Sequence, residues 1–363
     1  MATRFVATYR IACPAEAVEA RAQALALEQS VELPDGAVRD ARVRAEVMGR
    51  AAAIRAVGDR LFDADIELAE ETVGADAGQL MNMLFGNASL QGDVTLVDVQ
   101  IGDRFAAAFG GPRFGIEGVR ARTARARPLS CAALKPQGLG SESLAALAGS
   151  FAAAGIDIIK DDHGLADQAS APFAARVPAC QRAIDAIAMK SGHRALYAPS
   201  LTGSLDAMRR QLDHARACGV GMAMVAPMVS GVSNLGALAA EAGMPLLAHP
   251  ALSGAARIAP ALLLGKLFRL FGADATIFPH AGGRFGYTLG ECVAIADAAR
   301  APWHGLDATM PVPAGGMTVE RVPHLRELYG DDAILLIGGS LLAGDDLDAR
   351  CRAFVAAVAT PCP

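Results

Sequence analysis

From residue 129 onward, short apolar segments alternate with longer Ala- and Leu-rich segments, and this repetition restricts the fold more than any other feature of the chain. Each apolar segment ends at Gly, Pro or a polar residue, which is typical of a buried parallel strand. The eight predicted strands are Leu129–Leu134, Ile156–Lys160, Arg194–Ala198, Gly221–Val225, Pro245–Ala248, Ala275–Phe278, Ala308–Val312 and Ala333–Ile337. The intervening predicted helices include Ser141–Ala153, Phe173–Ser191, Ser204–Ala217 and Leu289–Ala299.

Eight strand–helix units match the size of a (β/α)8 barrel. A doubly wound open sheet is the main alternative, but no GxGxxG sequence opens a first unit. We therefore predict an α/β protein whose C-terminal (β/α)8 TIM barrel spans residues 126–363.

Residues 1–125 have a different pattern, with predicted strands separated by a single clear helix. The sequence predicts a small N-terminal α+β domain of the ferredoxin-like type. Its predicted elements are strands at Phe5–Ile11, Phe62–Glu70 and Gly92–Ile101 and a helix at Ala15–Leu27. The basic, Ala-rich segment Arg120–Arg127 is interpreted as the linker to the barrel.

Composition excludes several classes of function. The net charge is −5, aromatic residues make up 5% of the chain, and there is no long basic run, so nucleic acid is not an expected partner. Seven cysteines without a CxxC pair suggest neither a zinc module nor a disulfide framework. No apolar stretch is long enough to span a bilayer, and the N-terminus alternates like a strand instead of a signal peptide. We expect a cytoplasmic protein without a membrane partner.

Polar side chains recur where the barrel strands end. The most informative group is Lys160-Asp161-Asp162-His163, which follows a strongly apolar strand and combines a lysine with side chains that can bind metal. Others are Lys135 and Gln137 after the first strand, His249 after the fifth, and His280 and Arg284 after the sixth. Active sites of such barrels lie at the C-terminal ends of the strands, so these residues predict one shared site. Taken singly, a strand-end lysine is more often a solvated rim residue, and His249 fits a core histidine equally well.

Two Gly-Gly turns, Gly315-Gly316 and Gly338-Gly339, follow the seventh and eighth strands. Phosphate in these barrels often binds the loops after those two strands through backbone N–H groups. Glycine permits the close approach that such binding requires. Each pair alone is more typical of a simple turn, whereas both together favour a phosphate site.

Together these residues resemble the large subunit of RuBisCO, and more closely the form IV, RuBisCO-like proteins, over nearly the whole chain. The resemblance implies that Lys160 is the lysine carbamylated by CO2 and that it holds Mg2+ together with Asp162 and His163. It also implies that Lys135 is the active-site acid or base, and that His249 contacts substrate and shuttles protons.

The resemblance extends to further residues. Gly315-Gly316 and Gly338-Gly339 match the phosphate grip of the family, and Glu28 and Asn87 match residues that a partner subunit's N-terminal domain supplies. It therefore implies a homodimer or higher even oligomer with shared active sites, and no small subunit. Gln137, His280 and Arg284 are expected substrate contacts.

The chain departs from the carboxylases at several of the matching positions. His163 replaces an acidic metal ligand, Gln137 a second lysine, Pro250 a phosphate-binding arginine and Leu33 a substrate-binding threonine. The loop after the sixth strand shows no clear match to the closing lysine of the carboxylases. Without that arginine and lysine the grip on a second phosphate is weak, so we expect a singly phosphorylated substrate and no CO2 fixation. A neutral imidazole ligand should weaken Mg2+ binding, with Mn2+ as the alternative ion.

The chemistry implied by the family is proton abstraction next to a carbonyl, with the metal stabilising the negative charge. The best match is the 5-methylthioribulose-1-phosphate isomerase branch, in methionine salvage. The enzyme alternatives are a 3-oxo-isoapionate-4-phosphate decarboxylase, which is a lyase, and a diketo-methylthiopentyl-phosphate enolase. A non-catalytic sugar-phosphate-binding relative is the remaining alternative, and the retention of Lys135, Lys160, Asp162 and His249 argues against it.

Overall fold

The computed structural model describes residues 3–360, which form two compact units. The first runs to Gly110 and includes Leu252–Leu263 and Trp303–Leu306. The second comprises Gly111–Ala251, Leu264–Pro302 and the chain from Asp307 onward. No helix within residues 3–360 has the length and hydropathy needed to cross a membrane.

The first unit contains an antiparallel four-stranded sheet with helices. Its elements are β1 (Arg4–Ala12), α1 (Val18–Glu28), β2 (Arg50–Gly58), β3 (Leu61–Ala69), α2 (Ala77–Phe85), β4 (Val94–Gln100) and α3 (Asp103–Phe109). The strand order β2-β3-β1-β4 and the βαββαβ succession confirm the ferredoxin-like α+β prediction. The central strand β1 buries Phe5, Ala7, Tyr9 and Ile11, which share one face because side chains alternate along a strand.

The second unit contains the barrel. Its elements are α4 (Gly115–Thr123), β5 (Leu129–Leu134), α5 (Ser141–Ala153), β6 (Ile158–Asp161), α6 (Phe173–Ser191), β7 (Leu196–Ala198), β8 (Ser200–Leu201), α7 (Leu205–Ala217), β9 (Ala223–Val225), α8 (Pro227–Ser230), α9 (Val232–Glu241), β10 (Leu246–Ala248), α10 (Phe268–Leu270), β11 (Ala275–Pro279), α11 (Leu289–Arg300), β12 (Met310–Ala314), α12 (Val322–Tyr329), β13 (Ile334–Ile337), α13 (Gly339–Leu342) and α14 (Leu347–Ala359).

The barrel strands pair in parallel in two hydrogen-bonded arcs. One arc has the order β13-β5-β6-β7 and the other β12-β11-β10-β9-β8. β7 and β8 are successive pieces of one strand, interrupted at Pro199, which has no N–H to donate to a ladder. All eight predicted barrel strands are therefore confirmed. Their inward side chains form a core cluster that includes Leu129, Ile158, Leu247 and Val312.

The linker prediction for Arg120–Arg127 is wrong over its first half. The helix α4 continues to Thr123, and its residues Ile116 and Val119 join the barrel core. Arg120 is not a solvated linker residue, because its guanidinium binds the Asp332 carboxylate at 2.6 Å. The sequence pattern did not indicate this helix, because the segment is basic and the apolar face of α4 is short.

Candidate active site

The register between β5 and β6 brings the first predicted residues together. Leu134 pairs with Asp161, so the residues that follow the two strands are neighbours. Lys135 Nζ lies 2.8 Å from Asp162 Oδ1, and Gln137 Nε2 donates to Asp162 Oδ2 at 3.4 Å. Three predicted residues thus meet at one carboxylate.

Asp162 is held in its ionised form. Burial by itself raises the pKa of a carboxyl, but hydrogen bonds from His163 and Lys135 and the charges of Lys135 and Lys160 oppose it. The net result is a pKa of Asp162 well below its usual range. These partners favour the negatively charged form of Asp162 at the end of β6.

The imidazoles of His163 and His249 stack on one another, with ring centroids 4.4 Å apart and planes 6° from parallel. The backbone N–H of Ala251 donates to His249 Nδ1 at 3.1 Å, so the proton of the neutral ring resides on Nε2. Burial, with the nearby charges of Lys160 and His163, lowers the pKa of His249 to about 2. His249 is consequently a neutral N–H donor, while 47% of the His163 side chain remains exposed.

Lys160 is only 3% exposed, and its Nζ donates to the backbone oxygen of Asp161 at 2.7 Å. Burial lowers the pKa of Lys160, and the charge of Lys135 lowers it further, against the pull of Asp161 and Asp162. A buried amine with a lowered pKa spends more time uncharged than a surface lysine does.

A buried network behind Lys160 was missed by sequence reasoning. The Asp161 carboxylate accepts hydrogen bonds from Tyr197 Oη at 2.7 Å, the Ser200 N–H at 3.0 Å and Arg176 Nε at 3.2 Å. Arg176 reaches it from α6 and is fully buried. An arginine among apolar residues of a predicted helix was the only local signal for this network. The hydrogen bonds to Asp161 fix the end of β6, which carries Lys160.

The two glycine turns lie at the same end of the barrel as Lys135. A Cβ atom built on Gly338 would lie 3.7 Å from Lys135 Cε, and the space around Gly339 is open. Ser340 Oγ donates to the Met317 carbonyl at 2.6 Å, which joins the start of α13 to the loop after β12.

The loop after β11 packs directly on the Gly315-Gly316 turn. Gly315 and Gly316 have φ angles of 86° and 101°, in the region that favours glycine. A Cβ atom built on Gly283 would lie 1.9 Å from the Gly315 oxygen. Close packing therefore gives these glycines a structural reason in addition to the predicted phosphate contact, which stays a prediction.

The remaining predicted substrate contacts differ in accessibility. His280 is only 1% exposed, and its Nδ1 lies 2.7 Å from Tyr329 Oη. Burial, aided by Arg321 and His324, lowers the pKa of His280 to about 4. Arg284 is exposed, and its guanidinium carbon lies over the Phe285 ring, 5.3 Å from the ring centroid.

Glu28 and Asn87 meet within the first unit. Asn87 Nδ2 donates to Glu28 Oε1 at 2.8 Å and also to the carboxylate of Glu32. Gln29 Nε2 donates to the Met83 oxygen, and Gln29 Oε1 accepts from the Ala88 N–H. These two hydrogen bonds fix the segment that carries Asn87. Sequence reasoning missed Glu32 and Gln29, since their partners are distant in the chain.

The chain is similar to known proteins in both sequence and fold. The catalytic-domain model of the ribulose bisphosphate carboxylase large chain matches residues 115–345. The chain is 53% identical to ribulose bisphosphate carboxylase-like protein 1 of Rhodopseudomonas palustris over 99% of both chains. It is 49% identical to the 5-methylthioribulose-1-phosphate isomerase of Rhodospirillum rubrum, over 99% of this chain and 97% of that one.

The chain is also similar in fold to the solved structure of a protein of this kind. The crystal structure of a Rubisco-like protein from Rhodopseudomonas palustris matches with a TM-score of 0.93 and 48% identity, over 99% of this chain and 98% of that chain. The chain therefore belongs to the RuBisCO large-chain family, as a form IV, RuBisCO-like member of the branch that includes the isomerase-named relative.

Proposed function

We propose that this RuBisCO-like enzyme does not fix CO2 but enolises a singly phosphorylated ketose, and that it is a 5-methylthioribulose-1-phosphate isomerase of methionine salvage. The observation that carries the proposal is the group of Lys135, Asp162, His163 and His249 at one end of the barrel, with Gly338 beside Lys135. The 49% identity to a relative with that name supports the choice of substrate.

The residues at the end of β6 suit a metal ion. Within residues 3–360 no three His, Cys, Asp or Glu side chains are grouped to hold a metal ion. The proposed site contains two such side chains, Asp162 and His163. Lys160 would supply the third ligand as a carbamate, formed when its uncharged amine adds CO2 and releases a proton. Its lowered pKa favours this, since only the uncharged amine captures CO2. Bound Mg2+, or Mn2+ as the alternative, would stabilise negative charge on a substrate oxygen.

We assign the proton transfers to two side chains, Lys135 and His249. Lys135, beside Asp162, is assigned the exchange of the proton next to the substrate carbonyl. His249, whose neutral ring carries its hydrogen on Nε2, is assigned the relay of the abstracted proton to the neighbouring carbon, so that the ring takes up one proton and gives back one. Isomerisation needs both transfers, whereas enolisation alone needs one.

The remaining contacts are assigned by position. Gly315, Gly316, Gly338 and Gly339 would bind the phosphate through backbone N–H groups. Gln137, His280 and Arg284 are proposed around the rest of the substrate. Because the His280 side chain is buried, its contact would be through a shared hydrogen bond or through packing.

We further propose a cytoplasmic homodimer or higher even oligomer without a small subunit. Glu28 and Asn87 would complete the site of a second copy of this chain. Their mutual hydrogen bond supports a common role for the pair.

Proton NMR in D2O with 5-methylthioribulose-1-phosphate, Mg2+ and bicarbonate tests the function. An isomerase exchanges a carbon-bound proton and forms a second ketose phosphate, and Lys160→Met should abolish both. Release of CO2 from a β-keto acid phosphate would favour the decarboxylase, and enolisation of a diketone phosphate the enolase. Binding without turnover of any of these would favour the non-catalytic relative.

A further inference from the structure

The side chain of Asp161 faces away from the barrel interior, although both of its neighbours in the chain belong to the proposed metal site. Ile158 contributes to the barrel core, so Lys160, two residues further along β6, lies on the same inward face. Asp161 therefore lies on the opposite face, where its side chain is fully buried. A buried carboxylate on that face has no part in the proposed proton transfers.

The Asp161 carboxylate links β6 to β7, β8 and α6. Its Oδ1 accepts from Tyr197 Oη at 2.7 Å, and Tyr197 lies on the neighbouring strand β7. Its Oδ2 accepts from the Ser200 N–H of β8 at 3.0 Å and from Arg176 Nε of α6 at 3.2 Å. The end of β6 therefore cannot shift without breaking at least one of these hydrogen bonds.

Arg176 holds both ends of the loop that carries Asp162 and His163. This loop lies between β6 and α6. Arg176 Nη1 donates to the Ala171 carbonyl at 2.5 Å near the end of the loop, while Nε donates to Asp161 at its start. A guanidinium is planar and rigid, so one side chain sets the distance between the two ends of the loop.

The backbone of Asp161 also contacts the remaining proposed ligand. Lys160 Nζ donates to the Asp161 carbonyl oxygen at 2.7 Å. The lysine amine thus lies against the residue whose side chain is anchored on the other face of the strand. A displacement of Asp161 would consequently move Lys160 and Asp162 together.

Stability alone does not explain a buried ion pair at this place. The side chains of Arg176 and Asp161 are both 0% exposed, and the attraction within such a pair is largely offset by the cost of removing two charges from water. Well-packed apolar side chains of similar volume often stabilise a fold equally well. What apolar side chains lack is the directionality of the hydrogen bonds that Arg176 and Tyr197 donate.

We propose that Arg176 and Tyr197 are positioning residues, which act through Asp161 to hold the three proposed metal ligands in the arrangement that binds a divalent ion. This inference rests on the proposed function and extends it to residues that touch neither metal nor substrate. Loss of the hydrogen-bond partners that orient metal ligands typically weakens metal binding about 10- to 100-fold.

The test measures the Kd for Mn2+ by electron paramagnetic resonance, with bicarbonate and without substrate, so that activity is not the readout. Asp162→Asn removes a proposed ligand and thereby identifies the signal that comes from this site. Tyr197→Phe removes a single hydroxyl and should raise the Kd about tenfold. Arg176→Lys keeps the charge but loses the planar fork, and its effect should be at least as large.

Tyr9→Phe is the matched control for Tyr197→Phe. Tyr9 is equally buried, and its Oη donates to the Leu84 carbonyl at 2.6 Å in the first unit. This variant loses a hydrogen bond of the same kind away from β6, so its Kd for Mn2+ should equal that of the wild type.

A lower melting temperature with an unchanged Kd, in either folded variant, would show that the substituted residue is merely structural and would overturn its assignment, while leaving the proposed function intact. A wild type without an Mn2+ signal sensitive to Asp162→Asn would instead overturn the proposed metal site, and this inference with it. Circular dichroism verifies folding at the temperature of the measurement. Tyr197→Phe, which retains the aromatic ring, decides the matter if Arg176→Lys does not fold.

Discussion

Single residues hold the end of β6 in place, and the buried ion pair of Arg176 and Asp161 is the clearest case. Arg176→Met should cost about 3–5 kcal/mol of unfolding free energy, because it leaves the buried Asp161 carboxylate without its cation. The double variant Arg176→Met/Asp161→Asn should be less destabilised than the sum of the single variants by about 1–3 kcal/mol. Urea denaturation measures all three.

The exposed pair of Arg209 and Glu241 is the matched control. Arg209→Met should lower the free energy of unfolding far less than Arg176→Met does, since exposed ion pairs contribute little. Equal losses for the two arginines would show that the burial of Arg176 has no energetic consequence.

His280 gives the protein a specific dependence on pH. Its pKa falls from the ordinary value to about 4, so the unfolded chain takes up a proton at higher pH than the folded chain does. Stability from this group is complete above about pH 6.5 and is lost as the pH falls toward 4. Between about pH 7 and about pH 5 the wild type should lose roughly 2 kcal/mol more than His280→Asn, which cannot ionise. Equal losses of unfolding free energy in the wild type and His280→Asn, measured by urea denaturation, would contradict this role of His280.

At the scale of elements, the loop after β11 can approach the loop after β12 closely because Gly283 has no side chain. Gly283→Ala should push the loops apart, lower stability by about 1–3 kcal/mol and raise KM for a phosphorylated substrate, because its Cβ would meet the Gly315 oxygen. Gly286→Ala, in the same loop but with open space around it, should change neither quantity. Steady-state kinetics and thermal melting of both variants decide the matter.

The same scale shows what the sequence could predict. β5 matches its predicted bounds of Leu129–Leu134, because a strand buried on both faces is a continuous apolar run. β2 was not predicted, since all of its residues are partly or fully exposed and they show no apolar alternation. Lys135 and Asp162 could be placed near one another from strand order alone. The contacts of Arg176 and Gln29 could not be predicted, because a contact between distant segments leaves no local pattern in the sequence.

At the scale of the whole molecule, sites shared between subunits should allow two inactive variants to restore each other. Glu28→Gln and Lys160→Met should each be nearly inactive alone. Coexpressed in equal amounts, they should recover up to about one quarter of wild-type turnover, since half of the dimers are mixed and each mixed dimer has one intact site. Tandem affinity tags would isolate the mixed dimers.

Absence of recovery in isolated mixed dimers would place each site within one subunit. A monomer in sedimentation experiments would exclude shared sites altogether. Coexpression of Glu28→Gln with Asn87→Ala is the control, because both residues come from the same side and every mixed site lacks one of them.

The two-arc pairing of the barrel strands has a consequence for how the molecule opens. Backbone hydrogen bonds link β13 through β7 in one block and β8 through β12 in another, with Pro199 at one seam. Amide protons within each block should exchange with solvent together, as cooperative units do, and the two blocks at different rates. Lys135 and Asp162 follow strands of the first block, whereas His249 and the Gly315 turn follow strands of the second. Substrate bridging the seams would thus slow deuterium uptake in both halves at once.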